Sequence, residues 1–304
     1  MLYCLFKLNI DSSDVAGYIV LFCCVFMMLN IGFWNVHGLN KHKSEDEDFL
    51  SYVNSYDIVG FAETLNDTPR NLPNFPPPLI IKATKRKRRG RPSGGNAVYC
   101  KPYIGKNVTV VQRSSFSIWL KLYEFTFGLK KTTYLCFCYI KPYYSKLESE
   151  LVFSKLHDEI LKFKEQGEIL LCGDLNTRTS GLKDFIPNDD NNDNINECPV
   201  PSDYRADFPL HRQQLDESHN LHGSLLTHIC KDHQLRILNG RFLRDSLGYF
   251  TFYNSNGQSI VDYMIASHGI FYDIEHFIVH SPVEFSEHCL ISVYMKSVIQ
   301  NRIE

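Results

Sequence analysis

The chain has 304 residues, of which 44% are hydrophobic, 13% aromatic and 22% charged, with a formal net charge of −2. That apolar content excludes a disordered chain and suits one large domain, since sheet-rich folds reach roughly 250 residues as a single unit. The near-neutral balance excludes a global attraction to polyanions, so any binding of nucleic acid has to come from a local patch.

In chain order, the first feature is the apolar, uncharged run from Ala16 to Phe33, just long enough to reach across a bilayer. Its end, Leu29–Val36, alternates as a strand does, and no A-x-A-like cleavage site follows. Residues 1–28 are therefore read as an extension outside the domain, with membrane anchoring by residues 16–33 as the less favoured alternative. From residue 29 to 297, short β-branched and aromatic runs alternate with turns and amphipathic stretches, which predicts a layered α/β domain. Strands are expected at Leu29–Val36, Ile58–Glu63, Asn96–Lys101, Thr109–Arg113, Ser117–Phe127, Thr132–Ile140, Ile169–Asp174, Phe250–Tyr253, Ile260–Ala266 and Leu290–Met295. Helices are expected at Ser44–Tyr52, Leu147–Gln166 and Leu225–His233. Two segments read as irregular: residues 66–93, with four closely spaced prolines and the run KRKRRGR, and residues 180–224, rich in Asn, Asp and Pro. Residues 298–304 form a tail. The ten cysteines include no CxxC pair and no zinc-finger spacing, and read as reduced core thiols of an intracellular protein.

Four segments carry candidate chemistry. CGDLNTR (172–178) follows the apolar run Glu168–Leu171, so Asp174 and Asn176 emerge where a doubly buried strand ends, although an Asp-x-Asn turn would look the same. FSEHCL (285–290) sets Ser286, Glu287 and His288 before a strand; a lone histidine there is more often structural. In QSIVDYMIAS (258–267), Asp262 interrupts an apolar strand, with Ser259 just before it. A buried carboxylate needs a partner, and a histidine nitrogen is a natural one. Finally, GFWNVHGL (32–39) and IVGFAETL (58–65) place Asn35 and Glu63 at strand ends. A hard oxygen ligand with few other carboxylates suits Mg²⁺.

Taken in order, Asn35, Glu63, Ser-Gly-Gly at 93–95, Tyr139, Asp174-x-Asn176, Asp262 and Ser286-Glu287-His288 resemble the endonuclease/exonuclease/phosphatase superfamily. RGRPSGGNAVY (89–99), CYIKP (138–142), CGDLNTR (172–178), LRILNGRFLRDSLGYFTF (235–252) and SIVDYMI (259–265) are most similar to the apurinic-endonuclease-like domain of LINE-type retrotransposons. The resemblance covers about residues 29 to 297. It implies a DNase I-like fold, a four-layer α/β-sandwich of two packed mixed β-sheets flanked by helices. It also implies that Glu63 and Asn35 hold Mg²⁺, with Mn²⁺ as a substitute, and that Tyr139 donates to the phosphate. Asp174 would deprotonate water, Asn176 would fix the phosphate or Asp174, and His288, oriented by Asp262, would contact a phosphate oxygen. Whether Asp174 or His288 is the base stays open. Ser259, Ser286 and Glu287 would support the set.

The pattern departs from the family at two positions. Glu287 stands where relatives have Asp, and His37 where they usually have Asn or Asp.

The implied substrate is double-stranded DNA, nicked to leave a 3′-hydroxyl by a monomer without a small-molecule cofactor. Lys85, Arg86, Lys87, Arg88, Arg89 and Arg91 would contact the phosphate backbone or act as a nuclear-import signal. A phosphatase or lipid phosphodiesterase of the same superfamily is one alternative. A remnant that binds nucleic acid without turnover is another.

Overall fold

The computed structural model describes residues 24–68, 70–83, 92–142, 145–186 and 210–300. The first described strand is β1 (Cys24–Asn35), which begins five residues earlier than expected because the segment Ile291–Gln300 extends far enough to pair with it. The expected single helix near residue 44 is two. α1 (Lys41–Glu45) stops at Asp46, whose backbone is extended (φ −77°, ψ 127°), and the Asp46 side chain then caps α2 (Glu47–Asn54) by accepting from Phe49 N.

β2 (Ile58–Ala62) follows, and then β3 (Leu79–Ile81) inside the stretch read as irregular. β3 forms because its β-branched run pairs with β4 (Asn96–Cys100). The basic run 85–91 lies outside the described residues. After α3 (Pro102–Gly105) come β5 (Val108–Arg113) and β6 (Ser117–Leu122). The expected strand to Phe127 ends early, in α4 (Glu124–Phe127), which buries Phe127 and is closed by Gly128 at φ 59°.

β7 (Thr133–Tyr139), α5 (Lys146–Lys164) and β8 (Glu168–Asp174) form a parallel crossover unit. Most of the Asn/Asp-rich stretch lies outside the described residues, and its end merges into α6 (Leu221–Asp232). The remaining elements are β9 (Leu235–Ile237), β10 (Phe252–Asn254), β11 (Gly257–Ser259), β12 (Asp262–Ser267), α7 (His268–Phe271), β13 (Ile274–Val279) and β14 (Ile291–Gln300). β14 thus runs into the segment read as a tail.

Among the described residues the strands form two six-stranded mixed sheets and one hairpin. The first sheet has the order β13-β14-β1-β2-β4-β3, the second β5-β6-β7-β8-β12-β9, and β10-β11 stands apart. Between the sheets lie Ile31, Phe33, Ile58, Val98, Leu135, Phe137, Leu170, Met264 and Val293. Gly60 is required there: a Cβ at that position would sit 2.1 Å from the Phe137 ring. The outer face of the second sheet packs Trp119, Tyr134, Ile169 and Leu171 against Phe153, Leu156, Ile160 and Phe163 of α5. The outer face of the first packs Trp34, Phe61 and Tyr99 with Phe49 and Val53 of α2. Helix, sheet, sheet, helix is the expected four-layer sandwich, driven by three separate apolar interfaces. No helix among the described residues is long and apolar enough to cross a membrane.

Candidate active site

Topology brings the candidate residues to one end of the sandwich. β1 and β2 are parallel and end at Asn35 and Ala62, and β7 and β8 are parallel and end at Tyr139 and Asp174. Antiparallel β12 begins at the same level with Asp262, and His288 lies just before β14. Register does the rest: Tyr139 is the partner of Asp174, and Asp174 is the partner of Asp262, so three functional side chains stand in one row across three strands.

Hydrogen bonds fix the row. Asp174 Oδ2 accepts from Asn35 Nδ2 at 2.8 Å, and Oδ1 accepts from Asn176 N at 3.1 Å. Asn176 Nδ2 donates to Ile140 O at 2.9 Å, and Tyr139 Oη donates to Glu63 Oε1. His288 Nδ1 and Asp262 Oδ2 are 2.9 Å apart. Ser286 Oγ donates to Asn35 O at 2.6 Å and accepts from His288 N at 3.1 Å, so it ties the histidine loop to β1.

Burial makes these charges interact strongly. Asp174 is 1% and Asp262 0% exposed. Burial, then the neighbouring Asp262 carboxylate, pushes Asp174 up to about 7, against the pull of His288, Asn35 and Asn176. Burial by itself would lower His288, but its ion pair with Asp262, helped by Asp174 and Glu63, outweighs this and raises it to about 9. His288 is therefore an imidazolium at neutral pH, with Nδ1 committed to Asp262.

Positive charge is in short supply at this end of the sandwich. Three carboxylates, Glu63, Asp174 and Asp262, converge with one imidazolium, and Asp262 Oδ1 is buried without a hydrogen-bond partner. Ligand atoms of Asp174, Asp262 and His288 all lie within 4.8 Å of one another. The donor set is hard oxygen with little nitrogen, and a divalent cation fits the deficit. His288 Nδ1 is committed to Asp262, so the carboxylate oxygens of this group are the donors suited to such an ion.

The backbone here is strained. His37, Glu63 and Asn176 all have positive φ, at 44°, 49° and 47°. Such conformations cost of order 1 kcal/mol or more each and gather at functional sites. They turn the chain sharply where each strand ends: Gly38 N donates to Glu63 O at 2.7 Å, and His37 N to Asn35 Oδ1 at 3.1 Å.

Not every expected residue joins the cluster. The side chains of His37 and Glu287 are exposed, and both line an open depression of about 500 Å³ with Lys43, Tyr253 and Ser286. Ser259 is buried, and its carbonyl accepts from Thr251 N at 3.0 Å, a contact made through the backbone. Residues 85–91 lie outside the described structure.

Several contributors escaped the sequence reading. Trp34 Nε1 donates to His288 O at 2.7 Å, and the Phe252 ring lies 4.7 Å from the imidazole. Asn239 Nδ2 donates to Asp262 O at 3.1 Å, and Asn220 links Asn176 O to Arg178 N. Thr251 Oγ1 accepts from Val261 N and Asp262 N. The signal for Thr251 and Asn239 was present in the stretch 235–252, where they stand as polar residues among apolar ones.

A model of the Endonuclease/Exonuclease/phosphatase family matches residues 32–275 of this chain. No curated protein matches it in sequence. Among solved structures, an AP endonuclease from Leishmania major, LMAP, is similar with a TM-score of 0.61, over 88% of this chain and 88% of that one, at 11% sequence identity. An identity that low shows a shared fold.

Proposed function

The chain belongs to the endonuclease/exonuclease/phosphatase family, and from that membership we propose that it is a Mg²⁺-dependent endonuclease that nicks double-stranded DNA and leaves a 3′-hydroxyl. One observation carries the reading: Tyr139, Asp174 and Asp262 stand in register across three strands, with His288 ion-paired at one end and Glu63 bonded at the other. That is a buried, acid-rich centre with one fixed cation, suited to an anionic ester.

A divalent ion held by Glu63 and Asn35 would neutralise charge on the phosphate and on the leaving oxygen. The remaining work falls to the chain. Asp174, held by Asn35 and Asn176, orients a water and takes its proton as the water oxygen bonds to phosphorus. The P–O3′ bond breaks with its electron pair going to the 3′ oxygen, which takes a proton from solvent to become the hydroxyl, while Asp174 returns its proton to solvent. His288 donates through Nε2 to a non-bridging oxygen, since Nδ1 is committed to Asp262, and Tyr139 donates from the opposite side.

Two features support DNA. The overall fold is shared with a protein named an AP endonuclease, and the sequence carries KRKRRGR at 85–91, whose cations suit phosphate-backbone contact. On this reading the protein is of LINE-type retrotransposon origin, acts as a monomer and works in the nucleus.

The test is product analysis. Purified protein is given intact duplex DNA: the 3′ ends it creates should prime a DNA polymerase directly, while a phosphomonoester, an inositol phosphate and a lipid diester should remain intact. Hydrolysis of one of those with no DNA nicks would replace the endonuclease with a phosphatase or lipid phosphodiesterase.

A further inference from the structure

Asp262 and His288 come from different places, one at the start of β12 and the other in the loop before β14. Their 2.9 Å contact therefore depends on whatever holds those two backbones together. Three residues, Thr251 to Tyr253, lie between them. Thr251 Oγ1 accepts from Val261 N at 3.1 Å and from Asp262 N at 3.0 Å, while Thr251 O accepts from Cys289 N at 2.7 Å. Thr251 N donates to Ser259 O at 3.0 Å, and Tyr253 N donates to Glu287 O at 2.8 Å. The residues before and after His288 are thus both bonded to this segment, and Phe252 bridges to His288 itself.

We propose that Thr251 is the positioning residue of the Asp262–His288 pair, with its hydroxyl fixing the start of β12 and its carbonyl fixing the histidine loop. The inference rests on the endonuclease reading for its consequence in turnover, but its geometric content stands apart from it. Thr251 is fully buried and touches no reacting group. Without its hydroxyl, two buried amides at residues 261 and 262 lose their acceptor, and the carboxylate of Asp262 shifts relative to the ring. A displacement of about 1 Å in such a site costs on the order of 10²-fold in rate.

Thr251→Val keeps the shape and removes the oxygen, whereas Thr251→Ser keeps the oxygen. The expected result on plasmid nicking is a fall in kcat of about 10- to 10²-fold for Thr251→Val with KM nearly unchanged, and near-normal kcat for Thr251→Ser. Leu120→Ala in β6, a core change far along the second sheet, serves as a control for lost stability alone. If Thr251→Val does not fold, Thr251→Ala is measured instead, with the same direction expected. A second readout needs no turnover: the low-field NMR proton resonance of His288 Nδ1–H should persist in the unchanged protein and in Thr251→Ser, and broaden or vanish in Thr251→Val. The positioning role is overturned if Thr251→Val keeps both the resonance and the kcat, if Thr251→Ser loses as much as Thr251→Val, or if Leu120→Ala loses as much kcat. Should the unchanged protein fail to nick DNA, the endonuclease reading falls, and the resonance alone decides the role of Thr251.

Discussion

Asp174 and Asp262 are direct partners across β8 and β12, two buried carboxylates on one row of a sheet, with a single imidazolium beside them. Like charges in such a row destabilise the fold, so the arrangement is built for something other than stability. Asp262→Asn should separate the two effects. It keeps an acceptor for His288 Nδ1–H but removes the charge that holds the ring as an imidazolium. We expect turnover to fall by about 10²- to 10⁴-fold while Tm changes little, read by single-turnover kinetics and by thermal unfolding. A large loss of Tm with unchanged turnover would mean that the pair is structural.

Glu287 offers the opposite change. Its side chain is exposed and shares a depression with His37 instead of joining the buried carboxylates. Glu287→Asp restores the shorter reach of the family pattern. Nicking should become faster, by up to ~10²-fold, at unchanged Tm. A slower enzyme would show that the longer Glu287 side chain is already suited to its place.

Two histidines away from the site predict the acid response of the fold. His233 is held down to about 4 by burial, then by His157 and Lys164, and His280 to about 4 by burial, then by Arg244. Both stay neutral in the folded state while the unfolded chain protonates near pH 6.5. The unfolded state therefore binds more protons between about pH 6.5 and 4, and the stability each contributes is present above that window and lost as pH falls through it. Asp174 and Asp245, raised by burial to about 7 and about 6, work in the opposite sense. The difference between variants is thus the informative quantity. His280→Gln keeps a partner for Tyr56 Oη and Ser292 Oγ, which both lie 2.9 Å from Nε2. Its denaturant midpoint should fall less between pH 7 and pH 4.5 than that of the unchanged protein, and an equal fall would refute the assignment.

Gly60 tests the packing of the two sheets. With its Cβ position 2.1 Å from the Phe137 ring, Gly60→Ala should cost about 1–3 kcal/mol of unfolding free energy. Adding Phe137→Leu should return part of that, since the two positions share one space. Simple additivity of the two losses would place the strain elsewhere.

Much of this protein is legible in its sequence, and the reasons for the gaps are physical. β8 and β12 read clearly because they are buried on both faces, so that Asp174 and Asp262 stand out against apolar runs. β13 did not, because a register shift between Ile274 and His276 breaks its alternation. β3, β9 and β11 have three residues each and depend on neighbours for their pairing. At the site, residue types were visible but their joining was not. The contact of Trp34 with His288 spans 254 positions, and the register that sets Asp174 opposite Asp262 is a property of the sheet. Thr251 stands out as a polar residue between Phe250 and Phe252, but its partners are backbone groups of residues 259, 261, 262 and 289, which only the fold brings to it.

The central claim is that Asp174 and His288 serve one metal-dependent phosphodiester cleavage. Supercoiled plasmid incubated with the protein in Mg²⁺ or in EDTA, beside Asp174→Ala and His288→Ala, tests it directly. Nicked circles should form only with the unchanged protein and only in Mg²⁺. Equal nicking by all three proteins, or nicking that survives EDTA, would contradict the site described here.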